Sequence, residues 1–211
     1  MRIVFGVTAP HWGGNEKWAL SAAEGLTARG HDVIVLWSRG DVGREVRRRG
    51  LTGRRALFVN GWNPAGVISL TWRLLAGRPD AIVLTRRREY LPGGIAARMT
   101  DRIAGRRTAV VLRMGLRRRL RDDFTTRAVF SRLADLIVVN SVAIRDGLAE
   151  TDWLDPGRVR VLVNGVETEA VSSHVGRTAL RELGVGSGAT VVVAAGRLNR
   201  QKGFDVLIDA M

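Results

Sequence analysis

The chain opens Arg2-Ile3-Val4-Phe5-Gly6-Val7-Thr8-Ala9-Pro10-His11-Trp12-Gly13-Gly14-Asn15-Glu16-Lys17-Trp18-Ala19, and the reading of this stretch decides the fold. A short, unbroken apolar run comes first. It lacks the basic n-region and the small-residue cleavage site of a signal peptide, so it reads as a buried strand. A loop with two adjacent glycines follows. Trp18, Ala19, Ala22, Ala23 and Leu26 then recur at helical spacing, and Gly30 after Arg29 supplies a stop. Strand, glycine loop and helix together open an α/β unit.

Working outward, comparable apolar runs lie at residues 32–37, 56–59, 81–84, 108–112, 136–140, 159–163 and 190–195. Most are continuous rather than alternating, as parallel strands covered on both faces require. Asn63 followed by Pro64 predicts an N-cap and first residue for a helix to about Leu75. Phe124, Ala128, Val129, Leu133 and Ala134 mark another helix, and Ser141 caps one over residues 142–149. The alternation through Val163 predicts an α/β, Rossmann-like, doubly wound parallel sheet with right-handed crossovers. Residues 167–188 differ in character. They hold Ser172, Ser173, a helical pattern near residues 178–183 and the run Gly184-Val185-Gly186-Ser187-Gly188. This reads as a linker. A strand at 190–195 and a helix from near Phe204 then open an incomplete second Rossmann-like domain, which stops inside that helix at Met211. The expected division is residues 1–168 and 169–211.

Composition narrows the function classes. Of 211 residues 45% are hydrophobic and 26% charged, so a sizeable core is expected rather than disorder. No run approaches the roughly 18 apolar residues of a membrane span. The absence of cysteine excludes disulfides, zinc-thiolate sites and a thiol nucleophile, and fits a reducing cytoplasm. The formal net charge is +14, carried almost wholly by arginine, since Lys17 and Lys202 are the two lysines. Arginine-rich composition accounts for this, and so does an anionic partner: membrane phospholipid, a phosphorylated acceptor or nucleic acid.

Two loops carry candidate chemistry. In Pro10-His11-Trp12-Gly13-Gly14-Asn15-Glu16, Gly13 and Gly14 let backbone N–H groups approach a ligand, and the helix N-terminus behind them favours negative charge. A tight turn without a ligand fits the glycine pair equally well. The spacing is not the dinucleotide fingerprint, and the second strand ends Trp37-Ser38-Arg39 rather than in an acidic residue. In Ala195-Gly196-Arg197-Leu198-Asn199-Arg200-Gln201-Lys202-Gly203-Phe204, a strand end presents Arg197 and Lys202. A forked guanidinium and a mobile ammonium there suit a diphosphate better than they suit an idle basic loop.

Five segments in order carry a resemblance: Gly13-Gly14-Asn15-Glu16, Arg29-Gly30-His31-Asp32-Val33, Arg132-Leu133-Ala134-Asp135-Leu136-Ile137-Val138-Val139-Asn140-Ser141, Val163-Asn164-Gly165-Val166-Glu167, and Gly196-Arg197-Leu198 with Lys202-Gly203. Together the chain resembles retaining glycosyltransferases of the GT-B fold, family 4. The resemblance implies two facing Rossmann-like domains, the first for the acceptor and the second for a nucleotide-sugar. It implies Arg197 and Lys202 on the donor diphosphate, Gly13 and Gly14 beside the donor phosphates or sugar, and Asn164 and Gly165 near the interdomain hinge. It implies a nucleotide-sugar as substrate, no cofactor and no metal. It also implies a lipid-linked or polysaccharide acceptor in cell-envelope polysaccharide, lipopolysaccharide or glycolipid synthesis.

The chain departs from that family in two places. Members usually carry a histidine, in a His-Gly pair, after the fifth strand. Arg113-Met114-Gly115 stands there instead, with Met114 in the histidine's place, which leaves Arg113 as the electrostatic candidate for catalysis. The family's paired glutamates fall beyond Met211, so the chain as it stands is not expected to turn over substrate efficiently.

Single residues divide as follows. His11 is placed to contact acceptor or sugar, or to serve the turn. His31 reads as a turn residue, His174 as solvated, and three scattered histidines make no metal site. Glu16 caps or orients the first helix. Asp122 and Asp123 sit among arginines and read as ion-paired. The runs Arg86-Arg87-Arg88 and Arg117-Arg118-Arg119 with Arg121 follow the fourth and fifth strands. They should emerge at the carboxyl edge, facing an anionic acceptor or a negatively charged membrane surface, which would place the protein on the inner face of the plasma membrane. A nucleotide-sugar epimerase or phosphorylase shares the fold, and a nicotinamide oxidoreductase shares the sheet but not its fingerprint. A nucleic-acid module would need aromatic residues among the arginines, and few are there, so no nucleic acid is expected.

Overall fold

A computed structural model describes residues 1–9, 12–38, 40–56, 63–165, 173–186, 188–196, 198 and 200–211. Pro10, His11, Arg39, Val166, Glu167, Ser172, Ser187, Arg197 and Asn199 lie outside the described residues, as do residues 57–59 of the third expected strand. The chain forms two compact units, Met1–Asn164 and Gly165–Met211.

The described residues of the first unit form a seven-stranded, all-parallel sheet of order β3-β2-β1-β4-β5-β6-β7. The strands are β1 Arg2–Val7, β2 Asp32–Trp37, β3 Gly53–Arg55, β4 Ala81–Leu84, β5 Ala109–Met114, β6 Leu136–Val139 and β7 Val159–Val161. Between them run α1 Gly14–Ala28, α2 Gly40–Arg48, α3 Pro64–Gly77, α4 Arg87–Ala104, α5 Phe124–Arg127 and α6 Val142–Ala149. This is the Rossmann-like α/β class that the apolar runs predict.

Side-chain alternation divides the core. Ile3, Phe5 and Val7 face α1 and α2, where they meet Ala19, Leu20, Ala23, Val42 and Val46. Val4, Ile82, Leu84, Val110 and Leu112 face the other way, toward Leu70 and Leu74 of α3 and Ala96 and Ala97 of α4. Each fully buried Leu, Ile or Phe contributes about 1.5–3 kcal/mol of transfer free energy, and both faces draw on it. Several caps fall where the residue types place them. Asn63 Oδ1 accepts from Gly66 N–H at 3.3 Å, with Pro64 in the first helical turn. Ser141 Oγ accepts from Ile144 N–H at 3.3 Å, and Gly30 takes φ 81° after α1.

At four points the structure adds to or corrects the expectations. A strand not foreseen lies at Gly53–Arg55, just before the expected run at 56–59, of which Ala56 is outside the strand and residues 57–59 lie outside the described residues. It is an edge strand with exposed Arg54 and Arg55, and charge at an edge hides it from a reading based on apolarity. Its Gly53 is required by crowding, since a Cβ there would lie 2.4 Å from the Trp37 ring. The helix expected across Phe124–Ala134 is a single α-turn followed by a π-helical segment, Ala128–Leu133, closed by Ala134 N–H on Val129 O. Helix α4 is unforeseen. Pro92-Gly93-Gly94 punctuates its middle, yet a Cβ at Gly93 would meet Leu84 at 2.7 Å and one at Gly94 would meet Leu133 Cβ at 2.8 Å. The glycines are there for close approach, and packing overrides propensity.

The fourth correction concerns the second unit. Residues 190–195 form no ladder, and Val191, Val192 and Val193 are exposed. Extended backbone becomes a strand only when a neighbour supplies hydrogen bonds, and none of the described residues does so. The described residues of the unit otherwise hold α7 Ser173–Glu182, a 3-10 turn at Arg200–Lys202 and α8 Phe204–Asp209. Among the described residues no helix is long and apolar enough to cross a membrane.

Candidate active site

In an open parallel sheet, ligands bind outside the carboxyl ends of the strands where the strand order reverses. Here that point lies between β1 and β4. Thr8 follows β1 and Thr85 follows β4, and a single buried carboxylate joins them. Glu89, on the first turn of α4, is 0% exposed. Its Oε1 accepts from Thr8 N–H at 2.7 Å and Thr8 Oγ1–H at 2.6 Å. Its Oε2 accepts from Thr85 N–H at 2.8 Å and Arg86 N–H at 2.9 Å. Thr85 Oγ1 donates onward to Gly6 O at 3.0 Å. Burial pushes the Glu89 carboxyl up to about 7, while the donors from Thr8, Thr85 and Arg86 pull it down.

Beside this knot stands Arg113, at the end of β5. It points to the α1–α2 face, and its side chain is nearly buried. Its Nη1 donates to Asn15 Oδ1, its Nη2 lies 3.5 Å from Asn164 Oδ1, and its guanidinium stacks 4.6 Å above the Trp18 ring. Asn15 Nδ2 in turn donates to Glu16 Oε1 and to Thr85 O, each at 3.3 Å. Buried Glu16 also faces Arg86 Nε at 3.9 Å. Tyr90 Oη–H donates to Arg113 O at 2.6 Å and packs edge-on against Phe130. Burial lowers the Arg113 pKa, and Tyr90 and Glu16 oppose that shift. An arginine keeps its charge through such a shift. A fixed cation therefore sits at the strand ends, aimed by two amides and an indole.

Sequence reasoning named part of this constellation. Arg113 meets Asn164 directly and Glu16 through Asn15. Gly13 is the N-cap of α1 in extended backbone at φ −165°, so positive φ is not its reason. A Cβ there would lie 3.1 Å from Glu16 Oε2, whereas Gly14 faces open space. Met114 points to the opposite side of the sheet and packs on the α3–α4 core. Gly165 begins the second unit. Within that unit the Lys202 stem lies over Gly196, 3.3 Å from where a Cβ would stand. Arg197 and His11 lie outside the described residues. The carboxylates Asp122 and Asp123 are ion-paired, to Arg127 and Arg121, and Asp123 also caps α5. Arg87 and Arg121 line a polar hollow of about 440 Å³ with Asp123, Thr125 and Thr126.

Asn15, Trp18 and Gly115 read in the sequence only as parts of the glycine loop, the first helix and the Arg113-Met114-Gly115 segment, and Thr8, Thr85, Glu89 and Tyr90 were not foreseen. Their one sequence signal is position. Thr8 and Thr85 directly follow the first and fourth apolar runs, and Glu89 stands three residues after Arg86, the N-cap-to-N3 spacing of a capping glutamate.

This sheet, with a cation-centred polar cluster at its switch point, defines a Rossmann-like α/β protein of the GT-B kind. Residues 12–170 match the model of Glycosyltransferase Family 4, and the chain belongs to that family. No curated protein sequence matches the chain significantly. Among solved structures it is similar to a glycosyltransferase from Rickettsia africae, at TM-score 0.80 and 18% identity, covering 99% of this chain and 56% of that one. It is similar to Anabaena HepE in complex with UDP-glucose, at TM-score 0.76 and 20% identity, covering 100% and 57%. It is also similar to the Staphylococcus aureus MnaA–UDP structure, at TM-score 0.54 and 14% identity, covering 84% and 50%. These likenesses are of fold. The chain spans little more than half the length of the first two.

Proposed function

We propose that the chain supplies the acceptor-side domain, and the start of the donor-side domain, of a retaining hexosyltransferase. The enzyme moves a sugar from a nucleoside diphosphate to an acceptor hydroxyl of a lipid-linked or polysaccharide substrate in cell-envelope synthesis. In the transfer the bond from the anomeric carbon to the diphosphate oxygen breaks. A bond from that carbon to the acceptor oxygen forms, and the hydroxyl proton passes to the departing diphosphate. Negative charge therefore grows on the diphosphate, and pre-aimed cations lower the barrier most when they need no reorganisation. Arg113 is such a cation, and in this reading it acts where the family's histidine is missing. Arg197 and Lys202 hold the diphosphate as fork and point charge, and no metal or cofactor is required. Gly13 and Gly14 bring the start of α1 close to donor phosphates, with Glu16 and Asn164 shaping the cleft. His11, Gly165 and Met114 are assigned no chemical step.

The observation that carries this reading is Arg113 held at the switch point by Asn15, Asn164 and Trp18, inside a segment that matches the family. Calorimetry of the protein with UDP, GDP and ADP tests it. One of the three should bind, and the Arg197→Ala/Lys202→Ala pair should weaken it by roughly tenfold or more, since charge-assisted hydrogen bonds are worth about 1.5–3 kcal/mol each. No uptake of any of them, or uptake indifferent to both changes, overturns the proposal. With a chain extended to a complete donor-side domain, incubation with a nucleotide-sugar alone separates transfer from epimerisation, because only the latter yields an isomeric sugar.

A further inference from the structure

Helices α3 and α4 pack side by side on one face of the sheet, and their outer surface is unlike the rest of the unit. Between them lies a cavity of about 220 Å³ lined by Val67, Ile68, Leu91, Pro92, Ile95 and Met99, with Asn63 and Pro64 at one end. The apolar surface continues beyond it. Ile68 is 51% exposed, Trp72 68% and Ile103 65%. The spacing makes this one face: positions 64, 68 and 72 on α3, and 91, 95, 99 and 103 on α4, each four apart. A contiguous apolar patch of this kind marks an interaction site.

The charges around it say what it meets. Arg73 and Arg102 are exposed beside Trp72 and Ile103, and neither has a partner among the described residues. Helix α3 carries no acidic residue. On α4, Glu89 is buried and Asp101 is bound to Arg98 at 2.7 Å. The face thus offers apolar side chains and free cations, and no unpaired carboxylate. A second copy of a chain with net charge +14 would bring like charge against it. An anionic lipid surface complements it on both counts, since tryptophan favours the headgroup level and arginine the lipid phosphates.

We propose that the α3–α4 face docks the protein on an anionic bilayer, with Ile68, Trp72, Met99 and Ile103 entering the interface and Arg73 and Arg102 on the headgroups. The run Arg86-Arg87-Arg88 opens α4 and so adjoins this surface at its carboxyl-edge end. The inference does not depend on which reaction the site performs.

Co-sedimentation of the 211-residue chain with vesicles is the test. The chain should bind phosphatidylcholine vesicles containing phosphatidylglycerol, bind pure phosphatidylcholine poorly, and lose binding as salt rises. The Ile68→Ser/Trp72→Ser and Arg73→Glu/Arg102→Glu pairs should each reduce partitioning by roughly tenfold, with circular dichroism unchanged because all four side chains are exposed. Trp72→Phe should retain binding yet lose most quenching of tryptophan emission by brominated lipid. Binding by both pairs equal to that of the parent would place the contact on the carboxyl-edge arginines and overturn the proposal. So would quenching that survives in Trp72→Phe, an absence of vesicle binding, or a dimer dissolved by the serine pair in place of vesicle binding.

Discussion

Gly115 lies so close to Arg113 that an added Cβ would stand 2.4 Å from the guanidinium Nη1. The far end of a flexible side chain can give way, so the fold tolerates the substitution while the cation loses its aim. Gly115→Ala should therefore change stability by less than about 1 kcal/mol in urea melts. It should still lower nucleotide binding about as far as Arg113→Ala does, because the bonds to Asn15 and Asn164 are lost together. A variant that binds like the parent would remove Arg113 from the site. Glu89 makes a different prediction, about pH. Its carboxyl stands near 7 in the folded chain, raised by burial above the ordinary value of 4.5. The folded chain therefore holds that proton more tightly than the unfolded one. Its contribution to stability is complete below about pH 4.5 and falls as pH rises to about 7. Over that window the loss should approach roughly 3 kcal/mol. Glu89→Gln should flatten the slope, and denaturant melts at several pH values would show it.

At the scale of elements, α4 does most to build the site, and it does so against its own propensities. Glu89 and Tyr90 on its first turn reach the ends of β1, β4 and β5, while Gly93 and Gly94 let it sink toward the sheet. Gly94→Ala must push a Cβ into Leu133 Cβ, which cannot rotate away. We expect a loss of about 1–3 kcal/mol, as for other overpacked interiors, measured as a lowered urea midpoint with an unchanged m-value. At the opposite end of the sheet, Asp135 plays the reciprocal part. It accepts from Val110 N–H at 2.7 Å and from Arg98 and Arg107, and thereby locks the start of β6 to β5 and α4. These donors hold its carboxyl below the usual range even though partial burial acts the other way. The site's geometry thus depends on anchors at both edges of the strands.

At the scale of the molecule, the two compact units differ in how their backbone is satisfied. The central strands β1, β4 and β5 are paired on both sides. Residues 190–195 have no ladder. Native-state hydrogen exchange should show the slowest amides in those three strands and fast exchange at residues 190–195, since amides without a partner exchange with little opening. Protection at 190–195 equal to that of β4 would mean that the segment finds a partner in solution.

What could be read from the residues alone was local in origin. The apolar runs located β1, β2 and β4 to the residue, because a buried parallel strand must be continuously hydrophobic. Asn63-Pro64, Ser141 and Gly30 marked helix ends, because caps act over three or four residues. The ordered motifs pointed to the family to which the chain belongs. Tertiary structure decided the rest. Edge strand β3 and helix α4 depend on neighbours rather than on their own composition. Glu89 unites Thr8 and Thr85 across 81 and 4 positions of chain. Arg113 meets Asn15 across 98 positions. Sheet order and the crossings of helices, which no local pattern encodes, set those distances, and a site assembled from strand ends exists only once the sheet has brought them together.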